Sequence, residues 1–241
     1  DCRILLNAKS LKTIKRLIDK TFSTIRKEGI VEFARKFYVY FDKKIRPERY
    51  FHIIQIPSEK KFLLFVSGEP INSTSFYRCE IPREQLTALG KETDMVYYSF
   101  LTEEMLDMYD HVIWYRLPLT EKISQMVTKL KDKGKKIIYS IDDLLFDKQS
   151  IESKEWIDEM HKDDREKMLR EADGILNFLQ ASDLGISSTN RLAEEMKRHL
   201  NGEIFVEKNG YSLSQIEDAD KLVDNFPESV NLGFFSGSQT H

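Results

Sequence analysis

Between residues 61 and 210, short apolar runs alternate with amphipathic stretches, and no other feature narrows the possible fold so far. The runs are 62–67, 95–99, 111–115, 136–141, 184–187 and 204–207. Each is too short for a buried helix and ends in turn or polar residues, so each reads as a strand. Runs apolar on both faces belong to parallel sheets covered on both sides. Helical spacing fills 74–90, 102–108, 119–133, 153–181 and 189–200. The alternation predicts βαβ units with right-handed crossovers: an α/β, Rossmann-like, doubly wound parallel sheet. Gly90, Gly134 and Gly202 fall where helix C-caps are expected. A further helix is expected at 214–225 and a last strand at 231–235, running into Ser236-Gly237-Ser238.

The 241 residues are 41% hydrophobic and 32% charged, which suits a globular chain with a core and not a disordered one. A net charge of -3 supplies no global basic field for nucleic acid. The balance is uneven, because residues 1–50 carry 14 Lys and Arg against 6 Asp and Glu. Such an arm fits an anionic partner surface, and a solvated helical linker would carry the same charge. Within it, Leu11, Ile14, Leu17, Ile18, Phe22 and Ile25 share one helical face over residues 9–28. Gly29 interrupts the pattern; Ile30, Phe33, Phe37, Tyr40 and Phe41 resume it until Pro47. Residues 1–50 therefore read as a basic amphipathic helical linker preceding the α/β domain.

Cys2 and Cys79 have neither metal nor redox spacing, which fits a reducing, cytoplasmic compartment. The histidines form no metal-type pair, so no metal is expected. No apolar run reaches the roughly 18 residues of a spanning helix, and no signal peptide is recognisable. The chain starts at Asp1 and stops just after an apolar run, so it reads as a fragment of a longer protein.

Ligands of doubly wound sheets bind beyond the carboxyl ends of the strands, so the residues there carry the functional information. After the first run come Gly68, Glu69 and a Ser/Thr-rich helix start containing Arg78. Backbone N–H groups at such a start favour an anion or a sugar hydroxyl. The third run ends at Arg116, which can hold a phosphate or carboxylate in a fork, or pair with an acidic neighbour. After the fourth come Asp142 and Asp143. Two close carboxylates repel, which poises one as a proton acceptor; alternatively Asp143 only caps the next turn. Ser187 to Asn190 form a helix N-cap cluster, and Asn209-Gly210 reads as a structural turn with positive φ.

Phe65-Val-Ser-Gly-Glu-Pro, Tyr77-Arg78, Trp114-Tyr-Arg-Leu-Pro118, Ile138-Tyr-Ser-Ile-Asp-Asp-Leu-Leu-Phe146, Gly185-Ile-Ser-Ser-Thr189 and Lys208-Asn-Gly210 occur in that order. The ordered set resembles the bacterial group-1 (family 4-like) GT-B glycosyltransferases of surface-polysaccharide and O-antigen assembly. The resemblance covers roughly residues 61–241 and implies that 61–228 form the N-terminal, acceptor-side domain. It implies a catalytic role for Asp142 and acceptor contacts for Gly68, Glu69, Arg78, Arg116 and Asp143. Residues 229–241 would be the first strand and glycine loop of a donor domain, with Gly237 and Ser238 at the donor diphosphate. The implied substrates are a nucleotide-sugar donor and a glycan or lipid-linked acceptor, without a cofactor. The basic arm, residues 9–49, would touch the inner-membrane surface peripherally. Many relatives carry a His-Asp at the end of the strand that here ends in Asp142-Asp143, and Pro-Asn-Gly followed by an apolar residue and an acid where Lys208-Asn209-Gly210-Tyr211-Ser212 stands, so the His, the proline and that acid are missing. The sequence leaves room for a non-catalytic Rossmann-like scaffold. It also superficially resembles a haloacid-dehalogenase phosphohydrolase, whose nucleophile position is taken here by Ser140 or Ile141.

Overall fold

The computed structural model divides into two compact units, Asp1–Tyr50 and Phe51–His241. It describes residue 26 and residues 29–223. The expected helix at 9–28, the expected strand at 231–235, and Gly237 and Ser238 lie outside the described residues.

In the first unit, helix α1 spans Ile30–Ile45. Its end is tied by Asp42, whose carboxylate accepts from Arg46 Nε at 2.7 Å and from the Tyr50 hydroxyl at 2.8 Å. Pro47, with its fixed φ, then opens a 3-10 turn at Pro47–Arg49.

The described residues of the second unit form six strands: β1 (Lys61–Ser67), β2 (Thr93–Tyr97), β3 (Tyr109–Tyr115), β4 (Ile138–Ile141), β5 (Leu184–Ser187) and β6 (Glu203–Val206). All pair in parallel, in the order β2-β1-β3-β4-β5-β6. After β1 runs α2, which starts as one α turn (Ser73–Ser75), widens to a π turn (Phe76–Glu80) and continues as α-helix (Ile81–Ala88). The other helices are α3 (Glu103–Asp107), α4 (Glu121–Asp132), α5 (Lys148–Glu152), α6 (Lys162–Ala181), α7 (Asn190–Met196) and α8 (Leu213–Val223).

Alternate residues of β1 and β3 serve two cores. Leu64, Val66, Val112 and Trp114 pack with α3, α4, α6 and α7 on one face. Leu63, Phe65 and Tyr115 pack with Cys79 of α2 on the other. Phe178 of α6 lies 5.5 Å from Trp114 and 4.8 Å from Tyr139 by ring centroids. Each such fully buried side chain contributes roughly 1.5–3 kcal/mol of apolar transfer. Because α2 lies on one face and α3 and α4 on the other, the sheet is wound in both directions from the boundary between β1 and β3.

Three expectations are corrected by local physics. The helix expected at 153–181 is broken: Asp147 caps the short α5, a 3-10 turn follows at Glu155–Ile157, and α6 starts only at Lys162. His161 is therefore not within a helix; its Nδ1 accepts from the Asp163 N–H at 3.3 Å as the N-cap of α6. Gly90 and Gly134 have the positive φ of C-caps, but Gly202 does not. A Cβ there would stand 1.8 Å from the Asp183 carbonyl oxygen, so close chain approach is what requires glycine. Gly210 also lacks positive φ, and residues 207–212 form no turn. This segment instead passes along α2, with Gly210 against Gln85 and Ile81 and the Leu213 N–H 3.3 Å from Glu84.

Candidate functional site

At the β1–β3 boundary the chain leaves the two strands toward opposite faces, which opens a crevice at their carboxyl ends. The two exits nearly touch. The Gly68 N–H donates to the Tyr115 carbonyl at 2.8 Å, and a Cβ on Gly68 would lie 2.2 Å from the Arg116 carbonyl oxygen. Gly68 is therefore a spacer; its own N–H is already used.

Arg116 has φ of 48°, the only non-glycine residue in left-handed conformation among the described residues. That conformation costs about 1–2 kcal/mol and persists only where the surroundings over-determine it. Here they do. The Arg116 N–H donates to Ser140 O at 3.0 Å, the Tyr139 hydroxyl to Leu117 O at 3.1 Å, and the Leu119 N–H to Gly174 O at 2.8 Å. The strained residue is thus locked to β4, to the core and to α6.

The guanidinium so placed meets three carboxylates: Glu69 at 3.2 Å, Asp143 at 3.3 Å and Asp142 at 3.5 Å. It serves neither as a free fork nor as half of a simple pair. Asp143 does not cap the next turn with its side chain; Asp147 is the cap, accepting from Gln149 and Ser150 N–H. The Asp142 side chain keeps 14% exposure, and its Oδ1 is buried against Arg116 Nη1 at 3.5 Å. Burial raises the Asp142 pKa above the usual carboxylate value, with Arg116 opposing and Asp143 adding to the rise. Arg116 is held above its ordinary value, since its burial is outweighed by Asp142 and the neighbouring groups. The Tyr115 hydroxyl, also buried, is raised by burial and then by the Asp142 charge. The Ser188 hydroxyl donates to the Asp142 carbonyl at 3.0 Å and ties this turn to the end of β5.

A cavity of about 1010 Å³ opens against this cluster. Glu69, Arg116 and Asp143 line it from the strand ends, Tyr97 from the end of β2, and Trp156 and Met160 from a satellite apolar cluster around Ile157. One guanidinium among three carboxylates leaves a net charge of -2 when all are ionised. Lys154, Lys167 and Glu171 also line the cavity, so the charged side chains it presents (Glu69, Arg116, Asp143, Lys154, Lys167 and Glu171) balance, and its carboxylates can accept from hydroxyl groups.

Arg78 is not brought to this cavity. The π turn of α2 directs it inward, where it is 1% exposed. It donates to the Glu207 carbonyl at 2.6 Å, approaches the Glu207 carboxylate at 3.4 Å and Ser140 Oγ at 3.5 Å, and reaches Asn209 Oδ1 at 3.4 Å. Burial raises Glu207, and Arg78 opposes the rise. Arg78 therefore clamps α2 to the ends of β4 and β6 beside a separate, mostly apolar cavity of about 370 Å³. Asn209 belongs to that clamp. Among the described residues, no group of three or more His, Cys, Asp or Glu is placed to hold a metal ion.

Tyr115, Ser140 and Glu207 escaped the sequence reading. Tyr115 carries a signal in hindsight, as the last strand residue before Arg116; Glu207 becomes visible only through its contact across 129 residues with Arg78.

Arg116→Gln is expected to move the Asp142 titration midpoint further up, because the guanidinium is the group opposing its desolvation. Carboxyl-resolved NMR titration of the variant checks this; an unmoved midpoint would mean that Arg116 does not set the Asp142 charge.

Fold and crevice together define a doubly wound, Rossmann-like α/β domain with a charged switch-point cavity. Compared with models of known protein families and with curated proteins, the chain matches none.

Proposed function

We propose that this domain is the acceptor-side half of a glycosyltransferase that moves a sugar from a nucleotide-sugar donor to a hydroxyl of a glycan or lipid-linked acceptor. The observation that carries the reading is Asp142: a carboxylate at the switch point, paired with Arg116 at 3.5 Å, 14% exposed and with a raised pKa. Asp142 does not itself line the cavity, so an acceptor hydroxyl would reach its 14%-exposed side chain from beside Arg116 and Asp143 and donate to it; Asp142 takes that proton as the oxygen attacks the anomeric carbon and the nucleoside diphosphate departs. Arg116 holds Glu69, Asp142 and Asp143 around that hydroxyl, and the aromatic wall at Tyr97 and Trp156 offers flat apolar surface to a sugar ring. The carboxylates can accept from an acceptor's hydroxyls, and on this reading the donor diphosphate is held by a second domain facing this crevice. The expected diphosphate loop at Gly237 and Ser238 stays part of this proposal. Surface-polysaccharide assembly at the cytoplasmic side of a membrane is the setting that the ordered motifs suggest.

The test uses the full-length protein that contains this chain, incubated with a broad panel of labelled nucleotide sugars. Transfer to an acceptor, or donor hydrolysis in its absence, is expected with at least one donor. A folded protein that does neither across the panel overturns the reading.

A further inference from the structure

We propose that helix α1 binds an anionic lipid bilayer, lying along the surface with its aromatic side among the headgroups. At 100° per residue, its apolar side chains fill an arc of about half the helix circumference, interrupted in the last turn by Lys44. Ile30, Val31, Phe37, Tyr40, Phe41 and Ile45 on this arc are all exposed, from 46% at Phe41 to 81% at Val31. The rings form a continuous stripe: Phe33 to Phe37 at 5.9 Å, Phe37 to Phe41 at 4.7 Å and Tyr40 to Phe41 at 5.9 Å. An apolar surface this contiguous marks an interaction site and not scattered surface hydrophobics.

Charge selects the occupant. The helix carries Arg35, Lys36, Lys43 and Lys44 against Glu32 and Asp42, and Asp42 is already bonded to Arg46 and Tyr50. Lys44 Nζ lies 4.9 Å above the Tyr40 ring and Lys43 Nζ 5.4 Å above the Tyr50 ring, beside the aromatic surface where headgroup phosphates would lie. Two copies of this helix packed face to face would bring like charges together, and the arc is wider than a coiled-coil seam. Its 16 residues span about 24 Å, which is too short to cross a bilayer, and charges interrupt them. No described helix is long and apolar enough to cross one. A wide apolar arc with cationic flanks is the pattern of a helix that lies in the interface. None of this depends on the glycosyltransferase reading.

The experiment is co-sedimentation of the full chain with vesicles of phosphatidylcholine alone or mixed with phosphatidylglycerol. Binding to the mixed vesicles is expected, with at least about tenfold weaker binding in 0.5 M salt. The double variant Phe37→Ser/Phe41→Ser should lose at least about tenfold in affinity, and Lys43→Gln/Lys44→Gln should lose binding to the anionic vesicles. Circular dichroism and thermal melting of both variants should match the parent, which separates lost binding from lost folding. Equal binding to neutral and anionic vesicles, unchanged binding by the serine variant, or dimerisation through Phe37 and Phe41 without vesicle binding would each overturn the proposal.

Discussion

On the proposed glycosyltransferase reading, Asp142→Asn is expected to lower the rate of sugar transfer by about 100- to 10,000-fold while leaving the domain folded, the range removed with a positioned general base. Asn keeps the shape and can still accept a hydrogen bond, but it cannot take a proton. Asp143→Asn provides the contrast. That side chain is 54% exposed and shares Arg116, but it sits where water already solvates it. Its loss should lower the rate by roughly tenfold or less, because it only adds to the field that raises Asp142. Equal effects of the two substitutions would remove the special role of Asp142.

The same substitution has a pH signature. The folded-state pKa of Asp142 is raised, so the folded domain holds its proton more tightly than the unfolded chain does. Its contribution to stability is therefore fully present below the ordinary carboxylate pKa and is lost as pH rises through the raised value. Asparagine stays neutral throughout. Asp142→Asn should consequently raise the urea midpoint at pH 7 and lose that advantage near pH 4, as parallel unfolding curves would show. The acidic limb of the rate profile should likewise lie above the ordinary aspartate range, since only ionised Asp142 accepts a proton.

The strands were legible because each buries apolar residues on both faces, leaving a signal of runs bounded by turns that needs no knowledge of partners. All six appear within about two residues of their expected bounds, and their parallel pairing follows from the helices between them. The strand-end positions of Glu69, Arg116, Asp142 and Asp143 were legible for the same reason. What was hidden depended on contacts between distant segments. Charge alone does not tell that the guanidinium at Arg116 collects three carboxylates while that at Arg78 turns inward to Glu207; a single widened turn in α2 makes the difference. The broken helix before α6 was missed because capping by Asp147 and His161 interrupts a stretch whose apolar spacing continues around Ile151, Ile157 and Ala172. Asn209-Gly210 looks like a turn because its composition permits one, but the segment passes along α2 without forming one.

Gly68→Ala should cost at least about 3 kcal/mol of unfolding free energy, at the upper end of overpacking effects. The added methyl would stand 2.2 Å from Arg116 O, 2.8 Å from Arg116 C and 3.1 Å from Leu117 Cα. All three are backbone atoms, so no side-chain rotation relieves the clash. Either the exits of β1 and β3 separate, or the 116–119 segment moves and strains its bonds to Ser140, Tyr139 and Gly174. The control is Gly134→Ala, where φ is 73° and nothing lies within 4 Å of the new Cβ. That substitution pays only the left-handed penalty of about 1–2 kcal/mol. For a domain of this size the difference should appear as a melting temperature several degrees lower for Gly68→Ala than for Gly134→Ala. Transfer should also fall in the fraction of Gly68→Ala that remains folded, because the displaced segment carries Arg116 away from Asp142; Gly134→Ala should leave it unchanged. If the two alanine variants melt together, the close crossing of the two strand exits is not what holds Arg116 in its strained conformation.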